Sequence, residues 1–476
     1  MKKLFIAAIG IAVVFVSSCK KDIVNQVEKD LLPGSTVDTL RGEITVNTTL
    51  TKKTYLDGLV YVKPGITLTV VAGVTIVGST GPVIPDTVNL ANNKGVLLIE
   101  KGATLIANGT PTSPIVWTSE KPAGSRAFGD WGGLVIYGNA PIHRANGAST
   151  GLFEAFDYKP DERNRYGGSN VADNSGSITY NRFEFGGGIV YQANKEVNGL
   201  TFCGVGNGTT FHHNEVLNAG DDGMEFFGGT INIHHTLVFG AKDDDYDFDE
   251  GYNGKLQFII GYKTALADNS GSASLEVDND ASSTNVSPYT QPFISNATLL
   301  GPAVAKNFAT SPSSYFSGAL FLRRNTRIIL VNSLIIAQQH PYALVTTPTT
   351  VGRVANAPSL NQDSIVIGYN IFQTNSANPV VSSSQEGTPV PAAIVTNPAL
   401  LGKVGNAANG NTAVTTFNDF KLTAELRNTT VSPSYTGGAN LAALGLPFFQ
   451  GTTERGAVIS SDPWTSTGNW ISIASN

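Results

Sequence analysis

Short segments of the chain alternate between apolar and variable residues with a period of two. In each segment the second and fourth positions are large and apolar, while the third position varies. The clearest of these segments are Gly133–Ile136, Gly199–Phe202, Gly223–Phe226 and Asp245–Phe248. A period of two is typical of a β-strand, so we expect the apolar pair to point inward and the third residue to point outward.

The alternating segments belong to longer repeats of strand, turn and strand. Residues 58–68 match residues 95–105 position by position, and residues 210–226 match residues 232–248. A repeat of roughly 20 residues that lacks helical spacing is the signature of a solenoid. We therefore expect stacked coils whose backbones pair as parallel strands about 4.8 Å apart, with each coil burying its apolar face against its neighbours.

The composition supports stacked strands and excludes a mainly helical protein. Only 14% of the residues are charged and 51 are glycine, which suits strands joined by tight turns. The formal net charge of −6 argues against a nucleic acid as the partner, because such polyanions are held by basic surfaces. A protein or a carbohydrate is the more suitable partner class for this surface.

The first residues predict an export signal and a lipid anchor. Two lysines precede the uncharged apolar run Leu4–Val16, and two serines separate this run from Cys19. This is the pattern of a secretory signal peptide, and the cysteine after small residues resembles a bacterial lipobox. The resemblance implies cleavage before Cys19 and acylation of this cysteine, which attaches the protein to a membrane. The other cysteine, Cys203, is expected in or near the core.

The sequence divides into four parts. They are the signal peptide (residues 1–18), the acylated cysteine and a tether (19–42), the parallel β-helix (43–373), and loop-rich final coils with a C-terminal cap (374–476). We expect Trp464 and Trp470 to help cover the last coil, because an open coil exposes a strand edge that invites aggregation.

Carboxylates occupy the outward positions of one column of strands. Glu225 and Asp247 fall at the variable position of successive repeats, and Glu276 continues the column less regularly. Carboxylates that face each other on neighbouring strands repel, so at about 5 Å they share a proton or bind a cation. Hard oxygen ligands at flexible spacing favour Ca²⁺. The predicted Ca²⁺ ligands are Asp222, Glu225, Asp244, Asp247 and Asp249, and the alternative is a solvated acidic turn.

Histidines form a second ladder in the same repeat. The pair His212 and His213 aligns with His234 and His235. Histidine is a common zinc ligand, but parallel stacking of like residues is what any repeat produces. Because no third ligand can be placed on the same face from the sequence, we favour a structural ladder over a zinc site.

Other residues are candidate contacts for a ligand. Arg323 aligns near Asp249 and Asp278, where we favour an ion pair over a basic group that serves a polysaccharide lyase. Aromatic rings placed near the solvent faces are candidates for stacking on sugar rings, although such rings are also ordinary core residues. These rings are Trp131, Tyr137, Tyr246 and Tyr252.

Several motifs resemble those of a family of β-helix lipoproteins of Bacteroidota-type bacteria. They are Gly65–Leu68, Gly102–Thr110, Pro114–Ser119, Gly129–Pro141, Asn198–Gly206, Asp221–Gly229 and Leu322–Thr326. The resemblance implies a right-handed parallel β-helix and export, and it implies no activity, because none is established for the family as a whole. More distantly, the pattern resembles pectate-lyase-like polysaccharide enzymes, whose sites lie on the outer face of one sheet.

The expected fold is all-β, a single-stranded right-handed parallel β-helix with loop insertions and a C-terminal cap. We expect a non-catalytic lipoprotein, anchored in the outer membrane at the cell surface, that presents one face to a glycan or to an uptake or assembly partner. The alternatives are a Ca²⁺-dependent polysaccharide lyase or hydrolase, and a structural or adhesive surface protein. No catalytic residue is predicted, and Ca²⁺ is the candidate cofactor.

Overall fold

The structure is a computed structural model, and it describes most of the predicted β-helix. The described residues are 38–81, 94–156, 161–192, 195–264, 272–302, 316–336, 343–345, 350, 365–373, 410–414 and 436–473. The predicted signal peptide, Cys19 and most of the tether lie outside these residues. Among the described residues, no helix is long and apolar enough to cross a bilayer.

Almost all regular structure is β-strand. The strands are β1 (Asp38–Ile44), β2 (Thr48–Leu50), β3 (Thr54–Val62), β4 (Thr67–Val70), β5 (Thr75–Gly78), β6 (Val96–Ile99), β7 (Thr104–Asn108), β8 (Ile115–Ser119), β9 (Gly133–Tyr137), β10 (Gly151–Leu152), β11 (Arg165–Tyr166), β12 (Gly176–Glu184), β13 (Gly188–Gln192), β14 (Lys195–Val197), β15 (Leu200–Cys203), β16 (Thr210–Leu217), β17 (Met224–Phe227), β18 (Ile233–Phe239), β19 (Tyr246–Asp249), β20 (Lys255–Tyr262), β21 (Ser272–Val277), β22 (Phe293–Leu300), β23 (Phe316–Leu322), β24 (Ile328–Val331), β25 (Leu334–Ile336), β26 (Ala343–Val345), β27 (Ile365–Gly368), β28 (Ile371–Gln373) and β29 (Thr412–Val414). Short 3-10 helices occur at Glu154–Phe156, Glu162–Asn164, Ala442–Leu444 and Trp464–Ser466.

The strands stack into three parallel sheets, so the fold is a parallel β-helix as predicted. Sheet 1 pairs β3, β6, β9, β15, β17, β19, β21, β23 and β26 in that order. Sheets 2 and 3 share the long strands β12, β16, β18, β20 and β22. The first half of each long strand pairs in sheet 2 and the second half in sheet 3, with β24 and β25 continuing the two sheets separately.

The observed register confirms both repeats. Leu59 pairs with Val96, as the first repeat predicts, and Met224 pairs with Tyr246, as the second predicts. The inward residues of sheet 1, such as Leu134 and Phe202, lie in one hydrophobic core that runs through the stack. Alternation with a period of two therefore set both the strand faces and the pairing of successive coils.

A left-handed residue marks the corner between sheets 2 and 3. The corner residues have φ between 53° and 58° and include Tyr180, His213, His235, Phe258, Asn296, Asn332 and Tyr369. Asparagine and histidine are among the residues that adopt this conformation most readily. The residue that follows the corner residue in the chain is asparagine in several coils. In one of these coils, the Asn181 N–H donates to Oδ1 of Asn214 in the next coil at 2.9 Å. Such side chains replace backbone hydrogen bonds where the strands turn.

A second apolar layer covers the outer face of sheet 1 in its early coils. The hairpin β13–β14 contributes Val190 and Val197, and the segment around β10 and β11 contributes Phe153 and Tyr166. These side chains pack on outward-facing residues such as Tyr137, whose ring lies 6.3 Å from that of Phe153. An outward position in sheet 1 is therefore not necessarily a solvent-exposed position.

The C-terminal residues 436–473 lie along the side of the solenoid, on the corner between sheets 2 and 3. Their contacts run backwards along the stack: Ala439 N–H to Asn332 Oδ1, Asn296 Nδ2 to Glu454 O, His235 Nε2 with Asp462 Oδ2, Ser472 N–H to Glu215 Oε2, and Asn469 N–H to Pro111 O. The prediction that Trp464 and Trp470 cover the last coil is wrong. The two rings stack at 5.8 Å on each other, and Trp470 lies beside the corner residue His213, several coils before the last one.

Candidate metal centre

Sheet 1 contains the predicted column of outward-facing carboxylates. Glu225 of β17 pairs with Asp247 of β19, which pairs with Glu276 of β21. Each residue lies between two inward apolar residues of its strand, so all three side chains leave the same face of sheet 1. The column begins after Thr201 and ends at Phe321, which pairs with Glu276 on the far side.

A second acidic column lies at the corner that precedes these strands. Asp222 and Asp244 hold equivalent positions in successive coils, and both side chains accept backbone hydrogen bonds from the next coil. Oδ1 of Asp222 accepts from the Asp244 N–H at 2.8 Å, and Oδ1 of Asp244 accepts from the Ala273 N–H. These bonds fix the two carboxylates beside the Glu225–Asp247 column.

The two columns bring carboxylate oxygens together in three overlapping groups. In each group, one oxygen from every residue lies within 4.8 Å of the others. The groups are Asp222–Asp243–Asp244, Asp222–Glu225–Asp247 and Asp244–Asp247–Glu276. Ca²⁺ binds oxygen at about 2.3–2.6 Å, so two oxygens of one coordination sphere are at most about 5 Å apart. The spacing therefore fits a divalent cation with hard ligands.

Burial makes the cluster electrostatically costly. Asp222, Asp244 and Glu276 are 6%, 3% and 8% exposed. Burial, reinforced by neighbouring carboxylates, raises the pKa of Asp222 and of Asp244 well above the usual range. The same two causes raise the pKa of Glu225 and of Asp247. Such groups either stay protonated or require a positive charge among them.

The positive charges near the cluster are already engaged at its edges. Arg323 bonds Glu276 and lies 3.8 Å from Asp278, which Arg324 also bonds. Lys263 is buried 3.5 Å from Asp245 and donates to the Asp243 carbonyl oxygen. None of the ion pairs formed among the described residues involves Asp222, Glu225 or Asp247.

Like Asp222 and Asp244, Asp247 belongs to two of the three groups and so links them. Its Oδ1 is buried and finds no hydrogen-bond partner among the described protein groups. A buried carboxylate oxygen without a partner costs about 1–3 kcal/mol, and more if the group is charged. Coordination of a cation by this oxygen would remove that cost.

The structure corrects the predicted ligand set at one position. Asp249 is not part of any of the three groups. It lies two residues beyond Asp247 on β19, where its carboxylate accepts from the Glu250 N–H at 2.5 Å and faces Arg323 and Arg324. Asp243 and Glu276 complete the cluster instead. The sequence had placed Glu276 in the column less regularly, and the strand register now shows that it pairs with Asp247.

The prediction that four aromatic rings lie near the solvent faces is wrong. Trp131, Tyr137, Tyr246 and Tyr252 are all fully buried. Tyr246 is an inward residue of β19 whose hydroxyl donates to the Ile260 carbonyl oxygen at 3.0 Å. Tyr137 does point outward, but the second apolar layer covers it. These rings therefore stabilise the solenoid and do not form a platform for sugars.

Arg323 pairs with Asp278, as the sequence favoured, and also with Glu276. Its guanidinium also lies 5.0 Å from the centre of the Phe321 ring, the residue that ends the acidic column. This position neutralises Glu276 and closes one end of the cluster. Cys203 is fully buried under the second apolar layer, as expected, and burial raises the pKa of its thiol.

The sequence did not predict that a second apolar layer covers sheet 1. It also did not predict that the C-terminal segment packs along the corner between sheets 2 and 3. The apolar residues of segment 151–166 and of the hairpin β13–β14 were the available signal for the covering layer.

Comparison with known proteins adds one finding. No curated protein and no solved structure matches the chain. The family model of the pectate-lyase like β-helix domain matches residues 42–416, and the chain therefore belongs to this family.

Proposed function

We propose that this protein is a non-catalytic cell-envelope lipoprotein whose β-helix binds Ca²⁺ and presents its side to a glycan or to an outer-membrane partner. The carboxylate cluster carries the proposal, because Asp222, Glu225 and Asp247 form no ion pair within the part of the chain that the structure describes, and the first two are buried. A bound Ca²⁺ joins β17, β19 and β21 through their side chains and so rigidifies sheet 1. Membership in a pectate-lyase-like family supports a carbohydrate-related or surface role.

Export and anchoring follow from the N-terminal sequence. The apolar run before Cys19 supports signal-peptide cleavage and acylation of this cysteine. Stable anchoring requires more than one acyl chain, which the lipobox resemblance implies. Replacing Cys19 by alanine should release the protein from the membrane fraction and abolish labelling with a radioactive fatty acid. Retention of the label in Cys19→Ala would contradict the proposed anchor.

The pairing and burial of two basic residues near the cluster favour a binding role over polysaccharide cleavage. A lyase needs a base that takes a proton beside the cation, and an arginine held by two carboxylates stays protonated. Arg323 is held in this way by Glu276 and Asp278. Lys263 is only 1% exposed, so it is out of reach of a polymer.

The first experiment measures the melting temperature of soluble residues 20–476 in EDTA and then in excess Ca²⁺. We expect a rise of several degrees with Ca²⁺, because a ligand at 100 times its Kd stabilises the native state by about 2.7 kcal/mol. Asp247→Asn keeps the size of the side chain and should abolish the rise. Glu100→Gln is the matched control, since Glu100 is a buried acid directly after β6 that is paired with Lys63.

An equal response of Asp247→Asn and of the unchanged protein would remove the Ca²⁺ site from the proposal. A separate incubation of the Ca²⁺-loaded protein with acidic polysaccharides distinguishes binding from cleavage. Unsaturated products that absorb in the ultraviolet would show β-elimination and would favour the lyase. Retention of the protein on an immobilised polysaccharide without such products would support a binding role.

A further inference from the structure

The histidine ladder forms a compact group of ring nitrogens on the corner between sheets 2 and 3. The His213 and His235 rings stack at 4.5 Å between centroids, and the His212 and His234 rings stack at 4.8 Å. His213, His234 and His235 each offer a nitrogen within 4.8 Å of the others. The sequence alone could not place a third ligand on the same face. The structure supplies one, because the left-handed backbone turns His213 and His235 towards the histidines that precede them in their strands.

Asp462 of the C-terminal segment selects the tautomer of the His235 ring. Its Oδ2 lies 2.8 Å from Nε2 of His235. A carboxylate only accepts hydrogen bonds, so the neutral ring carries its proton on Nε2 and keeps a lone pair on Nδ1. Metal-binding histidines are commonly oriented by a carboxylate on the far nitrogen in this way.

The near nitrogens face each other at short distances. Nδ1 of His234 lies 2.6 Å from Nδ1 of His235, and Nδ1 of His212 lies 2.9 Å from Nδ1 of His213. Two lone pairs do not face each other at such distances unless a proton or a metal ion lies between them. With metal–nitrogen bonds of about 2.0–2.1 Å, adjacent ligand nitrogens are about 3 Å apart. Small movements of the rings therefore suffice for coordination.

Two tryptophans of the C-terminal segment pack against the histidine rings, of which His235 is buried. Trp464 packs edge-on to His235 at 5.5 Å, and Trp470 lies 5.7 Å from His213.

We propose that His213, His234 and His235 form a binding site for a divalent transition metal ion, with Zn²⁺ as the expected ion, and that Asp462 orients His235 within it. Imidazole nitrogens select zinc and copper-like ions, whereas the carboxylate cluster selects hard ions such as Ca²⁺. His212 stands next to the site as a fourth nitrogen. Because Asp462 belongs to residues 436–473, the ion ties the C-terminal segment to two coils of the solenoid.

The chain itself provides matched substitutions for the test. In sheet 2, His234 pairs with Gln257, so His234→Gln places at this position a residue that the next coil already carries. At the corner, Asn296 and Asn332 occupy the positions equivalent to His235, so His235→Asn preserves the left-handed backbone. Both variants remove one imidazole while keeping local structure. Glu454→Gln is the control on the C-terminal segment, because its carboxylate bonds Ser460.

The experiment titrates Co²⁺ into the EDTA-stripped protein, purified from membranes in detergent, and follows visible absorption of the bound ion. We expect one intense band that Zn²⁺ displaces and Ca²⁺ does not. His234→Gln and His235→Asn should lose the band, and Asp462→Asn should weaken Zn²⁺ binding by about 10–100-fold. Glu454→Gln and Asp247→Asn should bind as the unchanged protein does.

Absence of the band in the unchanged protein, or an undiminished band in His234→Gln, would overturn the proposal. Circular dichroism and melting of each variant in EDTA show whether it has folded. A variant that folds and has lost only the band supports the site. Because Asp247→Asn tests the carboxylate cluster separately, loss of Ca²⁺ binding leaves the result for the histidines unaffected.

Discussion

The side chain of Asp222 accepts a hydrogen bond from the backbone N–H of Asp244, its counterpart in the next coil, at 2.8 Å. The same relationship recurs on either side. Asn198 Oδ1 accepts from the Asp222 N–H at 3.3 Å, and Asp244 accepts from the Ala273 N–H. One column of Asn and Asp side chains therefore links the backbones of successive coils. Aspartate adds a negative charge that asparagine does not, and this charge distinguishes the coils of the carboxylate cluster.

Substitutions of Asp222 should separate its two roles. Asp222→Asn keeps the oxygen that accepts from Asp244, as Asn198 does in the preceding coil, but removes the charge. We expect the melting temperature in EDTA to be unchanged or raised, and the affinity for Ca²⁺ to fall at least tenfold. Asp222→Ala loses both roles and should also destabilise the protein by about 1–3 kcal/mol, because the Asp244 N–H is left unpaired. Calorimetric titration with Ca²⁺ and denaturant unfolding measure the two effects.

Stability should depend on pH in the direction set by the raised carboxyl pKa values. The folded, metal-free chain holds protons on Asp222, Glu225, Asp244 and Asp247 more tightly than the unfolded chain does. The contribution of these four groups to the free energy of unfolding is therefore greatest below the ordinary carboxyl pKa of about 4 and falls as the pH rises towards the folded-state pKa. In EDTA, we expect the melting temperature to be several degrees lower at pH 8 than at pH 5.

Ca²⁺ should flatten this dependence, because coordination keeps the carboxylates ionised in the folded state. Glu215 provides the control. It is fully buried away from the cluster, and burial raises its pKa to about 8. Glu215→Gln keeps an acceptor for the Ser472 N–H and removes one titrating group, so it should reduce the pH dependence equally with and without Ca²⁺. A pH dependence that is identical in EDTA and in Ca²⁺ would contradict this account.

The part of the fold that the sequence predicted is local or periodic. The pairings of Leu59 with Val96 and of Glu225 with Asp247 follow from repeats that place equivalent residues one coil apart. In a solenoid each coil contacts mainly its neighbours, so a repeat in the sequence becomes a contact in space. The acidic column, its outward direction and the position of Arg323 near Asp278 could therefore be predicted without a structure.

The part that the sequence did not predict depends on contacts between segments that share no repeat. Tyr137 was expected near solvent because it points outward, and Phe153 and Tyr166 bury it from an insertion. Asp462 meets His235 across more than two hundred residues of chain. No periodicity relates such pairs, so their proximity follows only from tertiary packing.

Arg323 should control the affinity of the cluster for cations. Its guanidinium neutralises Glu276, a member of one of the three carboxylate groups. Arg323→Gln leaves a buried acid uncompensated, so the protein in EDTA should lose about 3–5 kcal/mol of stability. The same change removes a positive charge beside the cluster and should increase the affinity for Ca²⁺. Unfolding in EDTA measures the expected loss of stability, and titration with Ca²⁺ measures the expected gain in affinity.

The matched control for this prediction is Arg126→Gln. Arg126 pairs with the buried carboxylate of Glu184 at 3.3 Å, outside the cluster. This change should destabilise the protein to a similar or smaller extent and leave Ca²⁺ affinity unchanged. If Arg323→Gln lowered the affinity for Ca²⁺, Arg323 would act as a support for the ligands and not as a competing charge.

Docking of residues 436–473 should depend on the two stacked tryptophans. Trp470 is 1% exposed, stacks on Trp464 at 5.8 Å and packs edge-on against Tyr180. Trp470→Ala should cost about 3 kcal/mol of docking free energy, which raises the detached population roughly 100-fold. Hydrogen exchange of the Asn469 and Ser472 amides measures this opening, because both bond the solenoid.

The control for the docking prediction is Leu444→Ala in the same segment, since Leu444 is 60% exposed and buries little surface. Its exchange should match that of the unchanged protein. Trp470 packs in a cluster with residues of β18 and β20, so Trp470→Ala should accelerate exchange only in the segment and along the corner beneath it. Equal acceleration throughout sheet 1 would mean that the segment and the solenoid unfold together, and that the C-terminal residues are an integral part of the fold and not an attachment to it.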